Sequence, residues 1–169
     1  MTMASGDTLA YFTALNGRPP SSNFATLDSR NGVDVLDFDD TTDESVEFGG
    51  VMPRHYAGTT GVTVTVGWMA TSATTGTISL DAAFKSVTDD ADDIDTKAYA
   101  AANNANPTTA SASGEVDYAT ITFTDGADMD SVAAGEYFQL KITRDANGTT
   151  STDSMTGDME LVFVEVKET

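Results

Sequence analysis

Carboxylates are the groups in this sequence best supplied for chemistry. Asp89-Asp90-Ala91-Asp92-Asp93-Ile94-Asp95 and Asp125-Gly126-Ala127-Asp128-Met129-Asp130 each crowd hard oxygen ligands into a short stretch. Calcium takes about six to eight oxygens and tolerates irregular geometry. Asp89, Asp90, Asp92, Asp93, Asp125, Asp128 and Asp130 are therefore its candidate ligands, and Asp37-Phe38-Asp39-Asp40 carries similar weight. Neither long run has the central glycine and terminal glutamate of an EF-hand loop. Acidic runs in general are solvated loops. The expectation is no obligatory cofactor, with calcium the one candidate cation.

Other reactive groups are sparse. His55 is the single histidine, in Met52-Pro53-Arg54-His55-Tyr56-Ala57-Gly58, and there is no cysteine. That excludes multi-histidine zinc sites, thiolate metal sites, disulfides and a cysteine nucleophile. A histidine triad also needs an activated serine, and no Gly-x-Ser-x-Gly elbow is present. Paired carboxylates about 5–9 Å apart would serve a glycosidase. With 27 acidic residues, however, chance pairs occur anywhere, and aromatic residues, which line sugar subsites, make up only 8%. Phosphate-binding glycine loops are missing, and the basic residues stand one at a time. No catalytic residue is expected, and the chain reads as non-enzymatic.

The elements that would have to position any site are strands. Val62, Val64, Val66, Trp68 and Ala70 alternate with more polar neighbours, as do Ile78, Leu80, Ala82 and Phe84. Ala119, Ile121 and Phe123 repeat the pattern, followed by Phe138, Leu140 and Ile142. Period two of this kind marks half-buried strands. Weaker runs cover Val33, Val35, Leu36 and Phe38, and a short one surrounds Val46 and Phe48. Asp145-Ala146-Asn147-Gly148 supplies a tight turn. The one helix candidate is Asp95 to Ala102, and Asn103 to Gly114 reads as low-complexity surface loop. Many short strands with Gly- and Thr-rich turns predict an all-β, antiparallel β-sandwich of about eight strands, jelly-roll-like.

Two segments ask for a partner. In the last strand Met159, Leu161 and Phe163 alternate with Val162, Val164 and Val166, so both faces are apolar. Such a strand is central and covered by a loop, or one face meets another subunit. Residues 1–32 read as an N-terminal strand and extended arm, stiffened by Pro19 and Pro20, ahead of a sandwich over 33–169 in one structural unit. The arm is either a lid over one end of the sandwich or a segment that packs onto a neighbour.

Composition narrows the partners. Twenty-seven acidic residues face eight basic ones, a formal net charge of −19. Such a surface repels phosphate backbones and anionic lipid, so neither nucleic acid nor membrane is expected as a partner. It suits a saline medium, where charges are screened over about 10 Å or less. At 169 residues the chain can bury a core without staples. No apolar run reaches the about 18 residues of a membrane helix, and Met1 to Asp7 lacks the features of a secretory leader.

Val33-Asp34-Val35-Leu36-Asp37-Phe38-Asp39-Asp40, continuing through Glu44-Ser45 to Gly49-Gly50-Val51-Met52-Pro53, is familiar in pattern. So is the strand pair from Gly61 to Val87, with Gly67-Trp68-Met69-Ala70 and Leu80-Asp81-Ala82-Ala83-Phe84 at its centre. Together they resemble β-sandwich virion proteins of tailed bacteriophages, most nearly capsid decoration, or cement, proteins. The resemblance implies a structural role on the outer capsid, bridging capsomers, with the major capsid protein and two further copies of the chain as partners. It implies synthesis in the host cytoplasm and carries no functional residues over. A tail, baseplate or fibre component is the near variant. The alternative from another class is a carbohydrate-binding β-sandwich module presenting Trp68, Tyr56, Tyr118 or Tyr137. Trp68 shares a strand face with Val62, Val64 and Val66, which places it in the core and counts against a sugar platform built on it.

Overall fold

Strand alternation resolves, in a computed structural model that describes residues 6–169, into two antiparallel sheets packed face to face. Residues 1–5, at the start of the expected N-terminal strand and arm, lie outside the described residues. From the third strand on, the chain runs β3 (Val33–Phe38), β4 (Glu44–Val51), β5 (Val62–Ala70), β6 (Leu80–Val87), β7 (Asn103–Ala105), β8 (Asp117–Phe123), β9 (Tyr137–Arg144) and β10 (Met159–Glu168). One sheet has the order β3-β10-β5-β8 and the other β4-β9-β6-β7. That is the strand order of an eight-stranded jelly roll. Two more strands, β1 (Thr8–Thr13) and β2 (Thr26–Arg30), enlarge the first sheet to six. β5 pairs along the whole of one edge of β10. On the other edge β3 takes Met159–Leu161 and β1 takes Phe163–Lys167.

The inward halves of the alternating strands form one core. Trp68, Phe38, Phe48, Phe84, Phe123 and Phe138 are essentially inaccessible to water. Phe84 meets Phe123 edge to face at 4.9 Å, and Phe12 of β1 stacks on Phe48 of the opposite sheet at 5.3 Å. Burial of each such ring is worth on the order of 2–3 kcal/mol. One cation is buried too. Arg144, at the end of β9, pairs with Asp153 through two 3.0 Å bonds and donates to the carbonyls of Phe38, Met155 and Gly157. It ties the long β9–β10 loop down onto β3.

Several expectations are corrected. Asp95 to Ala102 is not a helix: a single turn closes at Lys97 N–H to Asp93 O, and Ala100 N–H then bonds Phe84 O, drawing the chain onto the edge of β6. Asn103 to Gly114 is not all loop, because Asn103–Ala105 continues that pairing as β7. The expected sandwich of about eight strands is present as the jelly roll, and β1 and β2 bring the described residues to ten strands. Arm residues 18–25 lie along the free edge of β4, where Arg18 and Glu47 exchange backbone hydrogen bonds and Ser45 bonds Asn23 and Ala25. An exposed edge strand invites pairing with other chains, and the arm covers this one.

The largest correction concerns β10. Its register against β5 slips between Leu161 and Phe163, a β-bulge. A bulge inserts one residue and flips the phase of everything beyond it. Met159, Leu161, Val164 and Val166 all point into the core, while Val162 and Phe163 both turn outward. The second apolar face of this strand thus shrinks to those two residues.

Candidate functional site

The outward residues of the six-stranded sheet form a surface quite unlike that of an ordinary solvated sheet. Register places them in rows. Thr13 of β1, Phe163 of β10, Gly67 of β5 and Tyr118 of β8 stand side by side. The next row is Tyr11, Glu165, Thr65 and Thr120, and the one after is Thr8, Lys167, Thr63 and Thr122. Phe163 lies flat across Gly67: a Cβ at position 67 would come within 2.1 Å of its ring. Tyr11 stacks beside Phe163 with centroids 5.7 Å apart, and Tyr118 meets it edge-on at 5.3 Å. Tyr11 is 58% exposed and Tyr118 64%. Three rings thus make a continuous strip on an open sheet face, rimmed by threonines and by Glu165, which accepts a hydrogen bond from Thr8 Oγ1.

One row beyond the strip the surface turns aliphatic. Met69, Val116, Val162 and Val33 line a groove of about 320 Å³, together with Arg30, Asn31 and Gly114. Arg30, one of the lining residues, donates to Glu160 and to the Ala70 carbonyl. Beside that ion pair Asp37 faces Glu160 across the β3–β10 pairing. Burial, followed by the charges of Glu160, Asp28 and Asp158, pushes its carboxyl up to about 6.

The acidic loops hold themselves together. Asp92 accepts from Thr88 N–H at 2.8 Å and Lys97 Nζ at 3.1 Å, which keep its carboxyl below the usual range. Asp130 accepts from Ser86 N–H and Lys97, Asp128 from Thr124 N–H and Asn103, Asp93 from Asp95 N–H, and Asp125 from the Tyr56 hydroxyl. Asp89 and Asp90 are exposed. Among the described residues three carboxylates converge elsewhere, at Asp39, Asp40 and Asp158, with ligand atoms within 4.8 Å of one another. Burial and the two neighbouring charges raise the Asp158 carboxyl, whereas the Thr41 hydroxyl and backbone N–H groups lower Asp39. Sequence reasoning reached Asp39 and Asp40 but had no signal for Asp158, which the tethered β9–β10 loop delivers.

Of the aromatic residues considered for a sugar platform, Trp68 and Tyr56 are buried. Tyr137 is half-buried on the other sheet, accepting from Arg18 at 3.1 Å, and only Tyr118 joins the strip. Tyr11 and Phe163 were missed, one read as part of a docking arm and the other as part of a last strand apolar on both faces. His55 is exposed in a turn.

No protein-family model matches the chain, and no curated protein matches it. Among solved structures it is similar to the CBM22-1–GH10 modules of a Clostridium thermocellum xylanase complexed with xylohexaose, at 12% identity and TM-score 0.49. That match covers 96% of this chain but 28% of the xylanase chain. The CBM22-2 xylan-binding domain from Paenibacillus barcinonensis Xyn10C matches at 12% identity and TM-score 0.49, over 91% of this chain and 92% of that one. A CBM28 module specific for non-crystalline cellulose matches at 9% identity and TM-score 0.42, over 100% and 95%. At this level of similarity nothing about a ligand passes from them to this chain.

Proposed function

We propose that this chain is a non-catalytic glycan-binding module that lays a polysaccharide strand across the outer face of the six-stranded sheet. The strip of Tyr11, Phe163 and Tyr118 carries the reading. A sugar ring offers an apolar C–H face and a polar edge, so it stacks on an exposed aromatic ring while its hydroxyls bond polar groups at the rim. Glu165 and the flanking threonines supply such groups, and large exposed apolar patches on soluble domains mark interaction sites. Retention on a panel of insoluble polysaccharides tests it. The parent protein is expected to sediment with at least one of them, and the Tyr11→Ala/Tyr118→Ala double variant to bind about tenfold more weakly, about 1.4 kcal/mol. Both side chains are exposed, so the fold should survive. If no polysaccharide retains the parent, the proposal is wrong.

A virion decoration role is the second reading, and a different surface supports it. Where the arm crosses between the sheets, Leu15, Phe24 and Leu27 are 62%, 42% and 59% exposed around a groove of about 340 Å³. A sugar module has no use for this second apolar patch, whereas a particle protein gripped by neighbours does. Light scattering, with and without a calcium chelator, separates the readings. A trimer lost in a Leu15→Asp/Leu27→Asp variant supports decoration, and a monomer throughout counts against it.

A further inference from the structure

Beside the aromatic strip, the groove formed by Val33, Met69, Val116 and Val162 is aliphatic and open: Val33 and Val116 are 48% and 46% exposed. Register makes it the direct continuation of the strip. Met69 is the next outward residue after Gly67 on β5, Val116 precedes Tyr118 by two residues, and Val162 adjoins Phe163 at the bulge. One outward step along a strand is about 7 Å. A sugar stacked on Phe163 and Tyr118 therefore has a substituent's reach into the groove. Plain hydroxyls gain nothing from aliphatic walls, since burying them there costs hydrogen bonds with water. An acetyl group does gain: its methyl packs on the valines and Met69, and its carbonyl accepts from N–H donors. Arg30 and Asn31, whose side chains carry such donors, are among the residues that line the groove.

On these grounds, and resting on the glycan-binding reading, we infer that the groove receives the acetamido group of a 2-acetamido sugar, so that the glycan recognised is N-acetylated. The carboxylates of Glu160, which pairs with Met69 across β5 and β10, and of Asp37 beside it disfavour an anionic substituent in the same place.

Calorimetric titration with chitohexaose and cellohexaose tests this, because the two share a neutral β-1,4 backbone and differ only at C2. The N-acetylated ligand is expected to bind about tenfold more tightly, from one buried methyl and one added hydrogen bond. Val116→Asp and Val33→Asp, at half-exposed positions, should erase that preference and leave cellohexaose affinity unchanged. Tyr118→Ala should weaken both ligands alike. Equal affinities, or a preference for cellohexaose, overturn the acetyl inference and leave glycan binding standing. A sugar-independent dimer abolished by Val116→Asp makes the groove a contact between copies and overturns it as well. Binding of neither ligand refutes the inference, and if every polysaccharide also fails to retain the protein the glycan reading falls with it.

Discussion

Asp37 illustrates how a single residue's behaviour is set by neighbours that are distant in sequence. Its ordinary value is 3.8, but burial in the sheet, followed by the charges of Glu160, Asp28 and Asp158, pushes its carboxyl up to about 6. A folded-state pKa above the unfolded one means the native state holds its proton longer. Its stabilising effect is complete below about pH 4 and is lost as pH rises through about 6. Asp37→Asn keeps the shape and a donor toward Asp28 while removing the charge. The melting temperature of the variant should therefore exceed that of the parent by an amount that grows between about pH 4 and about pH 7, then levels off. A difference that is flat across that range would refute the assignment. At this scale the sequence was informative for Trp68, whose face-sharing valines put it in the core, where it is 1% exposed. It was silent on Asp158, whose convergence with Asp39 and Asp40 depends on the Arg144–Asp153 tether.

At the scale of elements, the register of β10 decides the site. Strand alternation read without a bulge puts Phe163 on one face with Leu161, and Val164 and Val166 together on the other. The slip at Val162 reverses both assignments. Gly67 is the complementary device on β5, leaving room for the Phe163 ring to lie flat. Gly67→Ala must push that ring off the sheet. The expected cost is about 1–3 kcal/mol in urea unfolding, together with loss of polysaccharide retention. Unchanged stability and binding would show that Phe163 has another place to go. The arm also belongs here. Its prolines announced a stiff irregular segment, and that segment covers the edge of β4 within its own chain.

Across the whole molecule, like charges crowd one another. A formal net charge of −19 repels itself more strongly in the compact state than in the unfolded chain. Screening shortens from about 30 Å at 0.01 M salt to about 3 Å at 1 M. The melting temperature should rise across that range, most steeply at the low end. A fall would mean that bridges such as Arg30–Glu160 and Lys97–Asp130 outweigh the repulsion.

The sequence by itself determined the all-β class, the position of the main strands, the buried Trp68 and the Asn-Gly turn. Each of these follows from local periodicity and backbone preference, which residues a few positions apart carry. The tertiary structure alone decided the jelly-roll order, the bulge in β10, and the meeting of Tyr11, Phe163 and Tyr118 on one face. Those three rings come from strands at opposite ends and the middle of the chain. What joins them is pairing register, set by how the two inner faces fill the core between the sheets.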